Sequence, residues 1–236
     1  PVTGYNRDAG GGMAEYTAAH PSQLIPVPDA VSDETAVFTD SLASALHPVQ
    51  QFFPGPGDTV IVYGAGIIGQ HIVRLLRFLE SPARIIAVAR HAFQGQRMRE
   101  GGADEVLLNP GRSELSKAAG GRLLPTTLGG GNIEGGADLF YDCVGSSRSL
   151  QEGLLILRGR GQYVLTATAA EIGKVDLSSL WFRELRLSGV FASGAGAHPD
   201  RPGRTYQRAL AILAGGKYPV HGLLTHTFPL REYPQA

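Results

Sequence analysis

From Thr59 onward, short apolar runs alternate with amphipathic segments, the arrangement expected of strands joined by crossover helices. Thr59–Tyr63 reads Thr-Val-Ile-Val-Tyr, a strand with both faces buried, and a helix follows it to about Leu79. The pattern then predicts a strand at 84–88, a helix at 94–100, a strand at Glu105–Leu108, and strands at 139–143 and 161–165 with a helix between them. A strand at 185–191, a helix at 204–214 and a last strand at 223–228 complete the series. Ahead of it, 13–17 and 24–28 read as short strand-like pieces, because Gly10-Gly11-Gly12, Pro26 and Pro28 oppose a regular helix. Ser32-Asp33-Glu34-Thr35 resembles a capping box opening a short helix, and a second helix over 41–52 ends at Pro54-Gly55-Pro56-Gly57. The stretch 109–136 has no clear period and finishes in the glycine-rich segment 128–136. The fold class is therefore α/β with a doubly wound parallel sheet.

Composition narrows the function classes. The chain has 236 residues, 43% hydrophobic and 18% charged, with 21 basic residues balancing 21 acidic ones. That suits a folded core and opposes disorder or a broad basic face for nucleic acid. There is no apolar run of about 18 residues and no secretory leader pattern, so no membrane span is expected and a cytoplasmic location is the default. The single cysteine, Cys143, rules out an intrachain disulfide and a multi-cysteine zinc site. The opening Pro1-Val2-Thr3-Gly4 lacks an initiator Met, and the close near Tyr233 reads as a strand entering a short helix, so a piece of a longer chain is expected.

Gly64-Ala65-Gly66-Ile67-Ile68-Gly69 fits G-x-G-x-x-G, directly follows an apolar strand and opens an apolar helix. In that context the pattern marks a dinucleotide-binding turn. Gly64 would allow the tight turn, Gly66 the approach of a pyrophosphate, and Gly69 the close packing of helix on strand. An NAD site places an acidic residue about 20 positions further on, to bind the ribose 2′-hydroxyl. Here that count reaches Ala89, followed by Arg90 and His91. A carboxylate would repel a 2′-phosphate and a guanidinium binds one, so the pattern favours NADP over NAD.

Several ordered segments resemble the medium-chain dehydrogenase/reductase family, in particular its zinc-dependent alcohol and polyol dehydrogenase branch. They are Gly11-Gly12-Met13-Ala14-Glu15-Tyr16, Asp40-Ser41-Leu42-Ala43-Ser44-Ala45-Leu46-His47, Pro56-Gly57-Asp58-Thr59-Val60-Ile61-Val62, Gly102-Ala103-Asp104, Asp142-Cys143-Val144-Gly145 and Thr225-His226-Thr227-Phe228-Pro229-Leu230. The resemblance implies a central six-stranded Rossmann domain, over 51–215, and remnants of a GroES-like β catalytic domain. The latter would comprise 1–50, with its connecting helix, and 216–236. The chain would begin after the family's first catalytic segment, which carries the Cys and the His-Glu pair for zinc, and would be catalytically incomplete.

By the same resemblance, Asp40 stands where a carboxylate ligates zinc or lies beside it, unless it only caps the helix from Ser41. Cys143 and Val144 would line the adenosine side, and Leu165, Thr166, Val190 and Phe191 would present backbone groups to the nicotinamide. Cys143 reads as a small packed residue rather than a nucleophile. The implied activity is hydride transfer between NADP(H) and a small alcohol or carbonyl substrate, zinc-assisted at full length, in a homodimer or homotetramer. The alternatives are a zinc-independent quinone or enoyl reductase of the same family, or a nonenzymatic NADP(H)-binding module.

Overall fold

The computed structural model describes residues 11–124, 132–169, 171–191 and 204–235. After a 3-10 turn at Pro21–Gln23, the chain forms α1 (Asp33–Ala36), α2 (Thr39–Gln51), β1 (Thr59–Tyr63), α3 (Ile67–Phe78), β2 (Arg84–Ala89), α4 (Ala92–Glu100) and β3 (Glu105–Leu108). It continues through α5 (Arg112–Ala118), β4 (Arg122–Leu124), β5 (Asn132–Glu134), β6 (Ala137–Asp142), α6 (Ser147–Ile156) and β7 (Leu157–Leu165). Then follow α7 (Ser178–Phe182), β8 (Arg186–Gly189), α8 (Thr205–Ala214) and a closing 3-10 turn at Leu230–Gln235.

Six strands form one sheet in the order β3-β2-β1-β6-β7-β8, every neighbouring pair parallel. This is the doubly wound Rossmann order that the sequence implies. The chain reverses its direction of growth between β1 and β6, and in open α/β sheets ligands bind outside the carboxyl ends of the strands at such a point.

Strand alternation divides the core into two layers. Val60 and Val62 of β1, Ile85 and Ala87 of β2 and Tyr141 of β6 face one layer with Leu42 and Leu46 of α2, Ile72, Leu75 and Leu76 of α3, and Leu213 of α8. Ile61, Ile86, Phe140 and Tyr163 face the other, against Leu115 of α5 and Leu150 and Leu154 of α6. Burial of both faces explains why these strands read as continuous apolar runs. Helix α2, from the segment assigned by resemblance to the catalytic domain, packs against α3 and α8 in the first layer.

Several expected elements differ. The pieces at 13–17 and 24–28 are bends and irregular chain, and 223–228 is turn and extended chain without a ladder. Strands need partners, and among the described residues none pairs with these segments. Helix α2 starts at Thr39, with Phe38 at the N-cap, because Thr39 Oγ1 donates to Ala36 O at 2.6 Å and continues the turn of α1. Ser32 is the N-cap of α1, yet its hydroxyl reaches Thr35 Oγ1 at 3.3 Å rather than a backbone N–H. The undefined stretch contains α5 and the antiparallel β4–β5 pair. Residues 125–131, within the glycine-rich segment of that stretch, lie outside the described residues.

The first layer holds one buried polar cluster. His71 of α3 is fully enclosed, with Nε2 3.1 Å from Ser41 Oγ and Nδ1 2.8 Å from the Tyr218 hydroxyl. Burial, helped by the nearby Arg74 charge, lowers its pKa from 6.5 to about 3. The folded state thus binds this proton less readily than the unfolded chain, and the stabilisation present above pH 6.5 is lost as pH falls toward 3. We expect the unfolding free energy to fall by up to about 1.4 kcal/mol per pH unit in that window from this group. In urea titrations His71→Gln should be less stable at neutral pH but should lack that part of the slope; an unchanged slope would remove His71 as its source.

Candidate functional site

Where β1 ends, the chain turns sharply into α3. Gly64 takes φ +106°, and a Cβ there would stand 2.7 Å from Val144 Cγ2. At Gly69 a Cβ would stand 1.9 Å from Gly64 O, so only glycine lets α3 start this close to the turn. A Cβ on Gly66 would meet nothing within 4 Å: this position faces open space. Gly66 is the N-cap of α3 and brings no side-chain cap to the first N–H groups of the helix.

A cleft of about 720 Å³ opens above this turn. Tyr63, Gly64, Ala65 and Gly66 form its floor. Val88, Ala89, Arg90, His91 and Gln94 line the β2 side with Asn109 and Pro110, and Cys143, Val144, Ser146 and Arg148 line the β6 side. Asn109 closes the β2 side, its Nδ2 donating to Arg90 O at 2.7 Å and its backbone N–H to Ala89 O at 3.0 Å. The Arg90 side chain is thereby left exposed, with the His91 ring stacked on Phe93 beside it, centroids 5.8 Å apart. No carboxylate is among the lining residues.

Asp142 fixes the β6 side from below. Its carboxylate is 0% exposed and accepts from Val144 N at 2.8 Å, Gly145 N at 3.0 Å and Ser149 Oγ at 2.8 Å, and also from the Tyr163 hydroxyl. Thr166 N and Oγ1 donate to Asp142 O at 2.9 and 2.7 Å. Thr166 Oγ1 also lies 3.3 Å from Cys143 Sγ. Burial pushes the Cys143 thiol up to about 12, against a smaller opposing effect of the Thr166 hydroxyl, so it stays protonated at neutral pH.

Of the candidate residues, the cleft brings together Gly64, Gly66, Ala89, Arg90, His91, Cys143 and Val144. Ile67, Ile68 and Gly69 begin α3 and do not line it. Leu165 and Thr166 at the end of β7, with Val190 and Phe191 past β8, lie farther along the same carboxyl edge, and Val190 N donates to Leu165 O at 3.2 Å. Sequence reasoning passed over Asn109, Pro110, Ser146 and Arg148, which directly follow β3 and β6 at that edge; the strand ends were the available signal.

Asp40 is away from this cleft. It sits inside the first turn of α2 rather than at the N-cap, and its Oδ1 accepts from the Tyr206 hydroxyl. Among the described residues no three His, Cys, Asp or Glu side chains come together in a way that could hold a metal ion.

Residues 68–216, more than half of the chain, match the profile of zinc-binding dehydrogenases. The chain belongs to this family. D-xylulose reductase A of Aspergillus oryzae is 25% identical over 226 residues, covering 96% of this chain and 59% of that protein. A short-chain alcohol dehydrogenase of E. coli complexed with NADH superimposes with a TM-score of 0.76 at 22% identity, over 95% of this chain and 60% of the other. A Sinorhizobium meliloti protein described as a zinc-binding dehydrogenase and bound to NADP gives 0.74 at 24%, over 96% and 61%. The chain thus spans about three fifths of the length of these relatives, and the two structures share its fold. Among the described residues no helix is long and apolar enough to cross a membrane.

Asp142→Asn should lower stability by about 2–4 kcal/mol, because the amide loses the charge that strengthens these bonds and, with its oxygen toward Val144 N and Gly145 N, its NH₂ forces the Ser149 and Tyr163 hydroxyls to turn and accept. Urea unfolding with an unchanged m-value checks it. A loss below about 0.5 kcal/mol would show that the four acceptor bonds do not hold this turn.

Proposed function

We propose that the cleft binds the adenosine half of NADP(H), and that the whole protein transfers a hydride between NADP(H) and a small alcohol or carbonyl compound. The observation that carries this reading is Arg90, uncovered at the end of β2 in a cleft lined by no carboxylate. The end of β2 is where a dinucleotide site reads the ribose 2′ position. Ala89 is only 2% exposed and packs into the apolar layer, so a charged group can act at 90 but not at 89 without burial.

The cleft fits the cofactor on geometric grounds. Gly66 presents open backbone to a pyrophosphate at the N-terminus of α3, where bare N–H groups and the helix dipole favour negative charge. Val144, 49% exposed, offers an apolar surface to the base, while Leu165, Thr166, Val190 and Phe191 extend the edge toward the nicotinamide. The bound nicotinamide supplies the hydride chemistry, and the chain's part is to orient it and shield it from water. A zinc ion would need donors besides Asp40 from outside the described residues. The polyol and alcohol class follows from family membership and from relatives such as the xylulose reductase. Strand β8 is an edge of the sheet, with Leu187 exposed, and assembly as a homodimer or homotetramer would run through it.

Fluorescence titration of the purified chain with NADPH and NADH, at one ionic strength, tests the reading. NADPH should bind more tightly. Arg90→Ala should weaken NADPH by about 10- to 100-fold and NADH by less than about threefold, the value of a lost charge-assisted pair. Equal losses for both would remove Arg90 from the 2′ position, and a wild-type preference for NADH would overturn the NADP assignment.

A further inference from the structure

A second guanidinium enters the cleft from the side opposite Arg90. Arg148 lies in the first turn of α6, directly beyond β6, and its side chain is exposed. In the sheet order, β2 and β6 flank β1, so Arg90 and Arg148 bracket the glycine turn from its two sides. Among the described residues neither takes part in an ion pair. The acid best placed to neutralise Arg148 is Glu152, one turn further along α6. Arg112 already holds Glu152, through Nε at 3.3 Å and Nη2 at 3.1 Å.

The Arg148 guanidinium lies close enough to the Tyr63 hydroxyl, on the cleft floor, to oppose the upward effect of burial on that group. Tyr63 stacks on Phe140, centroids 5.5 Å apart, and Phe140 on Tyr163 at 5.4 Å. The Tyr163 hydroxyl in turn donates to the buried Asp142 carboxylate. A row of rings across β1, β6 and β7 thus links the Tyr63 ring beside Arg148 to the enclosed Asp142 carboxylate.

Two guanidinium groups that make no ion pair among the described residues, facing one cleft lined by no carboxylate, match a group carrying two charges. The phosphate monoester of NADP(H) is such a group, with a second pKa near 6. Each pyrophosphate phosphorus of the cofactor carries a single charge and faces the N-terminus of α3. We infer that Arg148 is a second determinant of cofactor choice, forming with Arg90 a two-arginine clamp on the ribose 2′-phosphate. The inference rests on the NADP(H) reading of the cleft.

The test compares wild type, Arg148→Ala, Arg148→Lys and Tyr63→Phe by titration with NADPH and NADH, and by competition with 2′-AMP and 5′-AMP. Arg148→Ala should weaken NADPH by about tenfold and leave NADH within about twofold, with 2′-AMP losing more than 5′-AMP. Arg148→Lys should recover part of the loss, because charge remains while the planar fork does not. Tyr63→Phe keeps the ring stack and removes the hydroxyl beside Arg148. It should cost NADPH about two- to fivefold with an unchanged melting temperature, so the inference stays testable if Arg148→Ala folds poorly. Equal losses for NADPH and NADH would assign Arg148 to the base or pyrophosphate and overturn the clamp, and so would no loss for either. A wild type without NADPH preference would defeat the cofactor reading itself, whereas a preference that survives Arg148→Ala defeats only the clamp.

Discussion

Helix α3 comes so near the end of β1 that a single methyl on Gly69 would overlap Gly64 O, at 1.9 Å. Much of the layout follows from that contact. With the helix seated there, Ile72, Leu75 and Leu76 pack into the same apolar layer as β1 and α2. The left-handed turn at Gly64 then aims the uncapped N–H groups of α3 into the cleft. A larger residue at either glycine would push the helix outward, and both the packing and the shape of the cleft would be lost together. One steric constraint therefore joins the core to the binding surface.

The other half of the sheet is organised by a charge. Asp142 is completely enclosed, and desolvating a carboxylate is costly unless its oxygens are satisfied. Here two backbone N–H groups and two hydroxyl groups do so, which sets the course of the chain from β6 into α6. Through the hydroxyl of Tyr163 and the stacked rings of Phe140 and Tyr63, the same arrangement reaches the floor of the cleft. Core and cleft are again one structure, through polar contacts on this side and through sterics on the other.

Charge along the cleft is one-sided. Arg90 and Arg148 line it, acids do not, and Asp40 is engaged elsewhere with Tyr206.

Strands β1, β2, β3, β6, β7 and β8, helices α3, α4, α6 and α8 and the glycine turn are legible in the sequence, because buried faces produce apolar runs and a tight turn demands glycine at fixed offsets. The place of Arg90 just past β2 is legible for the same reason, since its offset from Gly69 is set by one βαβ unit. The segments at 13–17, 24–28 and 223–228 read as strands but form none, because a strand exists only through a partner that local patterning does not name. Asp142, Tyr63 and Arg148 are far apart in function when read along the chain. Their roles emerge only when β1, β6 and β7 lie side by side, because hydrogen bonds, ring stacking and charge act through space over a few ångströms, across separations that sequence periodicity does not carry.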